Sequence, residues 1–159
     1  MKRSAVIFFQ MVIVLVGIVV FVFLVRFPLT EGRAANLDGF RIYSDPFILY
    51  GYAASIAFFV ALYKAFRLLG YIRQNKIVSS GAVSTLKSIK YCAMVLSVLI
   101  AAAGLYISVF HNKEDDPAGF LAICIAAIFI SVVVAITASI FGKNLGKVMD
   151  KRFGNDLTN

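Results

Sequence analysis

The sequence has one histidine, two cysteines, three prolines, no tryptophan and half as many acids as bases in its 159 residues. Each shortage removes a class of chemistry. A single histidine, His111, leaves no Ser/His or Cys/His arrangement. There is no phosphate-cradling glycine loop and no haem-binding pair, so a search for perturbed acids and bases in a cleft finds no candidates. Cys92 and Cys124 make no CxxC and no Cys/His metal spacing. Pro- or Gly/Ser-rich linkers and repeats are missing too, so the chain reads as one domain, 1–159. No cofactor is called for.

Charge is missing from four long stretches: Ser4 to Val25, Pro46 to Tyr63, Tyr91 to Phe110 and Pro117 to Gly142. The composition is 61% hydrophobic, with a mean hydropathy of +0.89. A helix crossing the hydrocarbon core needs about 20 apolar residues. Core helices of soluble proteins rarely stay uncharged for that length. The expected fold is therefore all-α, a four-helix transmembrane bundle with spans at about 4–25, 46–66, 88–110 and 117–142. Lys2 and Arg3 before the first window imitate a signal peptide, but an h-region runs only ~7–15 residues and no small-x-small cleavage site follows. A retained signal anchor is expected.

The segment "YKAFRLLGYIRQNKIVSSGAVSTLKSIKY", residues 63–91, carries six Lys or Arg and no acid. Grouping alternate segments puts twelve of the sixteen bases on one side: Lys2 and Arg3, then Lys64, Arg67, Arg73, Lys76, Lys87 and Lys90, then Lys143, Lys147, Lys151 and Arg152. The positive-inside rule assigns that side, with both termini, to the cytoplasm. Six of the eight acids fall on the other side. The net charge of +8 thus reflects topology. Anionic inner-leaflet lipids attract such residues by ~1 kcal/mol each. Direct nucleic-acid binding is not expected, because no reading element accompanies the charge.

Span one is bulky and uniform, which predicts a lipid-exposed helix; Gln10 is its one strongly polar side chain and a candidate bond to a neighbour. A first outer loop is expected over Arg26 to Asp45, broken by Pro28, Gly32 and Gly39, with a short strand or interfacial turn near "LDGFRIYSDP". Asp45-Pro46 and Asp116-Pro117 read as helix caps followed by first-turn prolines. As one helix to Gln74, span two reaches ~43 Å against a ~30 Å core. It therefore projects inward, reverses at "NKIVSSG" and returns through a helix capped by Ser79 or Ser80. Spans two and three extend into a cytoplasmic helical hairpin, the second arm starting amphipathic at Val83, Leu86 and Ile89.

Small residues form stripes at helical spacing: Ala54, Ala57, Ala61 and Ala65 in span two; Ala93, Ser97, Ala101, Gly104 and Ser108 in span three; Ala127, Ser131, Ala135, Ala138, Gly142 and Gly146 in span four. Such stripes let membrane helices approach closely. The alternative is a pore lined by Ser97, Ser108 and Ser131; packing is the favoured explanation. Antiparallel spans three and four set Cys92 and Cys124 at opposite ends, beyond disulfide reach. His111, Glu114, Asp115 and Asp116 are oxygen-rich, but the loop lacks the ligand spacing of a calcium site, so a solvated acidic cap is favoured and no metal site is assigned. After span four, Phe141, Leu145, Val148 and Met149 share one face and Lys143, Lys147 and Lys151 another. This is either an inner-surface amphipathic segment or the end of span four packed on the hairpin.

The stretches "SIAFFVALYKAFRLLGYIRQNKIVSS" (55–80), "TLKSIKYCA" (85–93), "DDPAG" (115–119) and "NDLTN" (155–159) resemble the YoaS-like family of small bacterial four-span membrane proteins of unknown function. The resemblance covers the last two-thirds. The chain departs from it at Ala57, where relatives tend to carry proline, at Val78 (phenylalanine), at Gly154 (glutamate) and at Asn159 (an apolar residue). The resemblance implies a bacterial inner-membrane location and no established activity. Genes of the family often neighbour small helix-turn-helix regulators, which implies a soluble regulatory partner.

Enzyme is the least supported class. Transport is next, since ion pathways carry ionisable residues inside spans and these spans lack them. There is no duplication of the two hairpins to suggest an inverted-repeat transporter. A channel or transporter subunit for a neutral solute or lipid stays as the alternative, and four short spans would need a homo-oligomer for it. The favoured reading is a structural or regulatory module that meets anionic lipid or a partner through Lys64, Arg67, Arg73, Lys76, Lys87, Lys90, Lys143, Lys147 and Lys151.

Overall fold

Four helices occupy the four charge-free windows. The computed structural model describes residues 3–30, 46–110 and 118–156, with the backbone alone for residues 3, 27–30 and 153–156. The helices are α1 (Arg3–Thr30), α2 (Pro46–Arg73), α3 (Ser80–Phe110) and α4 (Ala118–Asp156). Among the described residues there is no strand. All four helices are long and apolar enough to cross a membrane. In lipid the backbone must satisfy its own hydrogen bonds, which continuous helices do.

Each helix packs antiparallel on the next. Gly17 of α1 lies under Leu62 of α2, with only 3.0 Å between the Leu62 Cδ2 and the place a Cβ would occupy. Phe21 meets Phe59 edge-on at 6.5 Å, and Gln10 reaches the carbonyl of Phe66 in a long 3.5 Å bond. The Tyr50 hydroxyl donates to Leu99 O at 2.7 Å, tying α2 to α3. Gly104 of α3 would set a Cβ 3.6 Å from the Cys124 Cβ of α4, and Gly142 of α4 would set one 3.6 Å from the Leu86 Cβ. Phe47, Tyr106, Phe110 and Phe120 close the end opposite the α2–α3 hairpin, with centroids 5.1 to 6.2 Å apart.

The core sits at the hairpin end. Leu86, Ile89 and Ala138 are buried there, with Ala65, Leu68 and Leu145 against them. Val83 is buried as well, so the amphipathic start of α3 turns its apolar face inward. Most large side chains of α1 are exposed, from Ile7 through Val25, as expected of a helix held by α2 and otherwise bathed in lipid.

Two expectations change. The first loop does not begin at Arg26, because α1 continues through Pro28 to Thr30. Proline lacks an N–H, so the carbonyl four residues earlier, Leu24 O, loses its helical donor. The Tyr52 hydroxyl of α2 donates to that oxygen at 3.2 Å. The helix thus passes the proline with its freed carbonyl satisfied from outside, as membrane helices do. The tail divides between its two options: α4 runs unbroken to Asp156, with Leu145 against the core and Phe141 and Val148 exposed. The expected strand or turn near residues 37–46, the caps Asp45 and Asp116, first-turn Pro117, and the acidic cluster of His111, Glu114, Asp115 and Asp116 lie outside the described residues, apart from Pro46, which starts α2 as expected.

Candidate functional site

The basic end is built by a tight helix reversal. Asn75 has φ 56°, the left-handed conformation that ends many helices. Asn75 N–H bonds Ile72 O at 3.1 Å and Lys76 N–H bonds Tyr71 O at 2.9 Å, the paired bonds of a Schellman cap. Three residues on, the Ser79 Oγ accepts from Ala82 N–H at 3.3 Å, so Ser79 rather than Ser80 caps α3. Gly81 lies so close to the Tyr71 ring that a Cβ would fall 2.6 Å from its hydroxyl oxygen. Thr85 returns its hydroxyl to Gly81 O at 2.7 Å. The turn joins the two helix ends through these cap bonds.

This reversal gathers cations. Arg67, Arg73, Lys76 and Lys87 are exposed, and Lys64 and Lys90 are half-buried. Lys90 Nζ sits 5.9 Å from the Tyr91 ring and the Arg67 guanidinium 5.9 Å from the Tyr71 ring, distances at which a cation is drawn to an aromatic face. On α4, Lys143, Lys147 and Lys151 are exposed at helical spacing. Gly142 against Leu86 sets this stripe at the same end of the molecule. Among the described side chains of that end the sole acid is Asp150. An open groove of about 410 Å³ lies between the start of α1 and the end of α2, lined by Gln10, Tyr63, Phe66, Arg67, Gly70 and Arg73 among others.

The small-residue stripes of α3 and α4 face each other. Close approach of Gly104 to Cys124 and of Leu86 to Gly142 fixes a register that sets Ala93 level with Ala135, Ser97 with Ser131, and Ala101 with Ala127. Ala93, Gly104, Ser131, Ala135, Ala138 and Gly142 are buried; Ser97, Ala101 and Ala127 are half-buried. Ser108 is the correction. It is exposed, one turn past Gly104, beyond the buried stretch of the stripe. Ser97 returns its hydroxyl to Ala93 O at 2.9 Å. Ser97 and Ser131 stand level in the α3–α4 contact and Ser108 lies at the surface away from them, so the three do not line one passage within a chain. Ala54, Ala57, Ala61 and Ala65 of α2 are all half-buried. Cys92 and Cys124 are free thiols, as the antiparallel register requires. Among the described residues no three His, Cys, Asp or Glu come together as a metal site would need.

The family model described as "Protein of unknown function (DUF2975)" matches residues 28–158. The chain belongs to this family. It is 37% identical over 162 residues to the uncharacterized membrane protein YoaS of Bacillus subtilis (strain 168), an alignment covering 99% of each chain. No solved structure matches the chain. The resemblance drawn from "SIAFFVALYKAFRLLGYIRQNKIVSS" is thereby confirmed. The chain is a multi-pass membrane protein of a family whose description names no activity.

Several contacts of this family member are not read directly from its sequence. Tyr50 and Tyr52 look like ordinary interfacial aromatics, yet each hydroxyl joins α2 to a different neighbour. The signal for Tyr52 was Pro28, whose missing N–H demands a donor from elsewhere. Gly70 lines the groove between two arginines, a role that a lone glycine within a helix does not announce.

Proposed function

We propose that the protein is a non-enzymatic structural or regulatory module of the bacterial inner membrane, a single domain with both termini and the α2–α3 hairpin in the cytoplasm. Its basic end engages anionic lipid head groups and, through the same charges, a soluble partner. One observation carries the reading: the antiparallel helices collect Lys64, Arg67, Arg73, Lys76, Lys87, Lys90, Lys143, Lys147 and Lys151 at one end, opposed among the described side chains by Asp150 alone. Each such cation contributes about 1 kcal/mol of attraction to an anionic surface, falling off within a Debye length. The core beneath them is apolar and contains none of these side chains, so the helix packing is expected to survive their removal.

The test replaces Arg67, Arg73, Lys76, Lys87 and Lys90 with glutamine. Far-UV circular dichroism in detergent is expected to match the parent chain. Retention of phosphatidylglycerol over phosphatidylethanolamine in mixed-lipid nanodiscs, and retention of a co-purifying soluble partner, are expected to fall. Unchanged retention of both would count against the reading.

A further inference from the structure

The groove between α1 and α2 lies where the apolar part of α2 gives way to its basic end. Phe66 stands twenty residues into α2, about 30 Å from Pro46 and so at the edge of a ~30 Å hydrocarbon core. Tyr63 lines the groove on the core side of that level and Phe66 at it; Arg67, Arg73 and Gln74 line it on the water side. Its lining contains two guanidinium groups and no acid. Gln10, 8% exposed and thus buried at the contact of α1 with α2, supplies a neutral polar edge. Gly70 has nothing within 4 Å of where a Cβ would stand, although it lies within a helix and lines the groove. Glycine is a poor helix former, and its missing side chain is what leaves the groove open.

We infer that this groove is a binding site for one anionic phospholipid, its phosphate between Arg67 and Arg73 and its glycerol and first acyl carbons against Phe66 and Tyr63. Arginine suits the role because its planar fork of donors matches phosphate oxygens, and it is weakly hydrated. The Arg67 guanidinium lies 5.9 Å from the ring of Tyr71, which also lines the groove. A generic basic surface predicts that every cation at this end counts alike. A built site predicts that position and shape count as well. The inference rests on the proposed anionic-lipid reading and makes it specific to one place.

The experiment uses the full chain in nanodiscs of mixed phosphatidylethanolamine and phosphatidylglycerol, read by native mass spectrometry of lipids retained after ejection. Three variants are compared: Arg67→Gln/Arg73→Gln, Lys143→Gln/Lys147→Gln, and Gly70→Leu. The first pair removes two groove charges. The second removes the same charge from the α4 stripe. Gly70→Leu fills the groove, changes no charge and favours the helix. The expected result is about a tenfold fall in retained phosphatidylglycerol for the groove pair and for Gly70→Leu, on the scale of one charge-assisted phosphate contact, with a smaller fall for the α4 pair, which draws head groups only through the diffuse surface field. Equal losses from both charge pairs, or full retention by Gly70→Leu, would overturn the site while leaving the anionic-lipid reading standing. No preference for phosphatidylglycerol in the parent chain would remove both. Displacement of the lipid by inorganic phosphate would overturn the assignment to a lipid. A dimer lost in Gly70→Leu while the lipid stays bound would give the groove to a second copy of the chain.

Discussion

Replacing Tyr52 with phenylalanine removes one oxygen atom and leaves the ring. The change matters because Leu24 O has no N–H at residue 28 to accept from, and the Tyr52 hydroxyl stands 3.2 Å away as its donor. Interhelical hydrogen bonds in membranes average ~0.6 kcal/mol and reach ~1.7 kcal/mol. An orphaned acceptor costs more, about 1–3 kcal/mol when buried. Leu24 lies near the end of the Ser4–Arg26 span, close to the interface, where water relieves part of that penalty. About 1 kcal/mol is therefore expected for Tyr52→Phe. The decisive control is Pro28→Ala, which restores a backbone N–H able to bond Leu24 O within the helix. In the Pro28→Ala background, Tyr52→Phe should cost only a few tenths of a kcal/mol, the usual error of additivity between uncoupled sites. The assay is reversible unfolding in mixed micelles, with all four combinations measured in one detergent. An equal cost of Tyr52→Phe in both backgrounds would refute the claim that the tyrosine compensates for the proline.

Gly104→Leu should force α3 and α4 apart, because the Cys124 Cβ stands 3.6 Å from the added Cβ; the expected loss is about 1–3 kcal/mol, whereas Gly104→Ala makes ordinary contact and should be tolerated. Asn75→Ala should cost about 1 kcal/mol because φ is 56°, while Asn75→Gly should be neutral or stabilising, both read as shifts in the unfolding midpoint. Ser79→Ala removes the acceptor for Ala82 N–H and should cost ~1 kcal/mol by the same assay, with Ser80→Ala near zero.

The fold was legible because charge is excluded from hydrocarbon so strongly that its absence marks a span, whatever the apolar side chains are. The stripe of Ala93, Ser97, Ala101 and Gly104 was legible for a related reason: small residues at helical spacing mark a face where backbones meet. A stripe does not say how far along the helix the contact runs, which is why Ser108 reads like its neighbours and yet lies exposed. Pro28 shows the limit from the other direction. A proline in a polar context predicts a break, and α1 continues past it because a tyrosine from another helix supplies the missing donor. Such compensation is a tertiary event, invisible to local propensity. The groove was illegible for the same reason, since Gln10 and Gly70 come from helices whose pairing no local pattern encodes.

The central claim is that the cations of residues 64–90 face the cytoplasm. It is tested most directly by placing one cysteine at position 76, as Lys76→Cys, in a chain whose Cys92 and Cys124 are replaced by alanine. Intact cells are then treated with a membrane-impermeant maleimide. The account predicts no labelling until the inner membrane is opened, and full labelling afterwards. Labelling of position 76 in intact cells would contradict it.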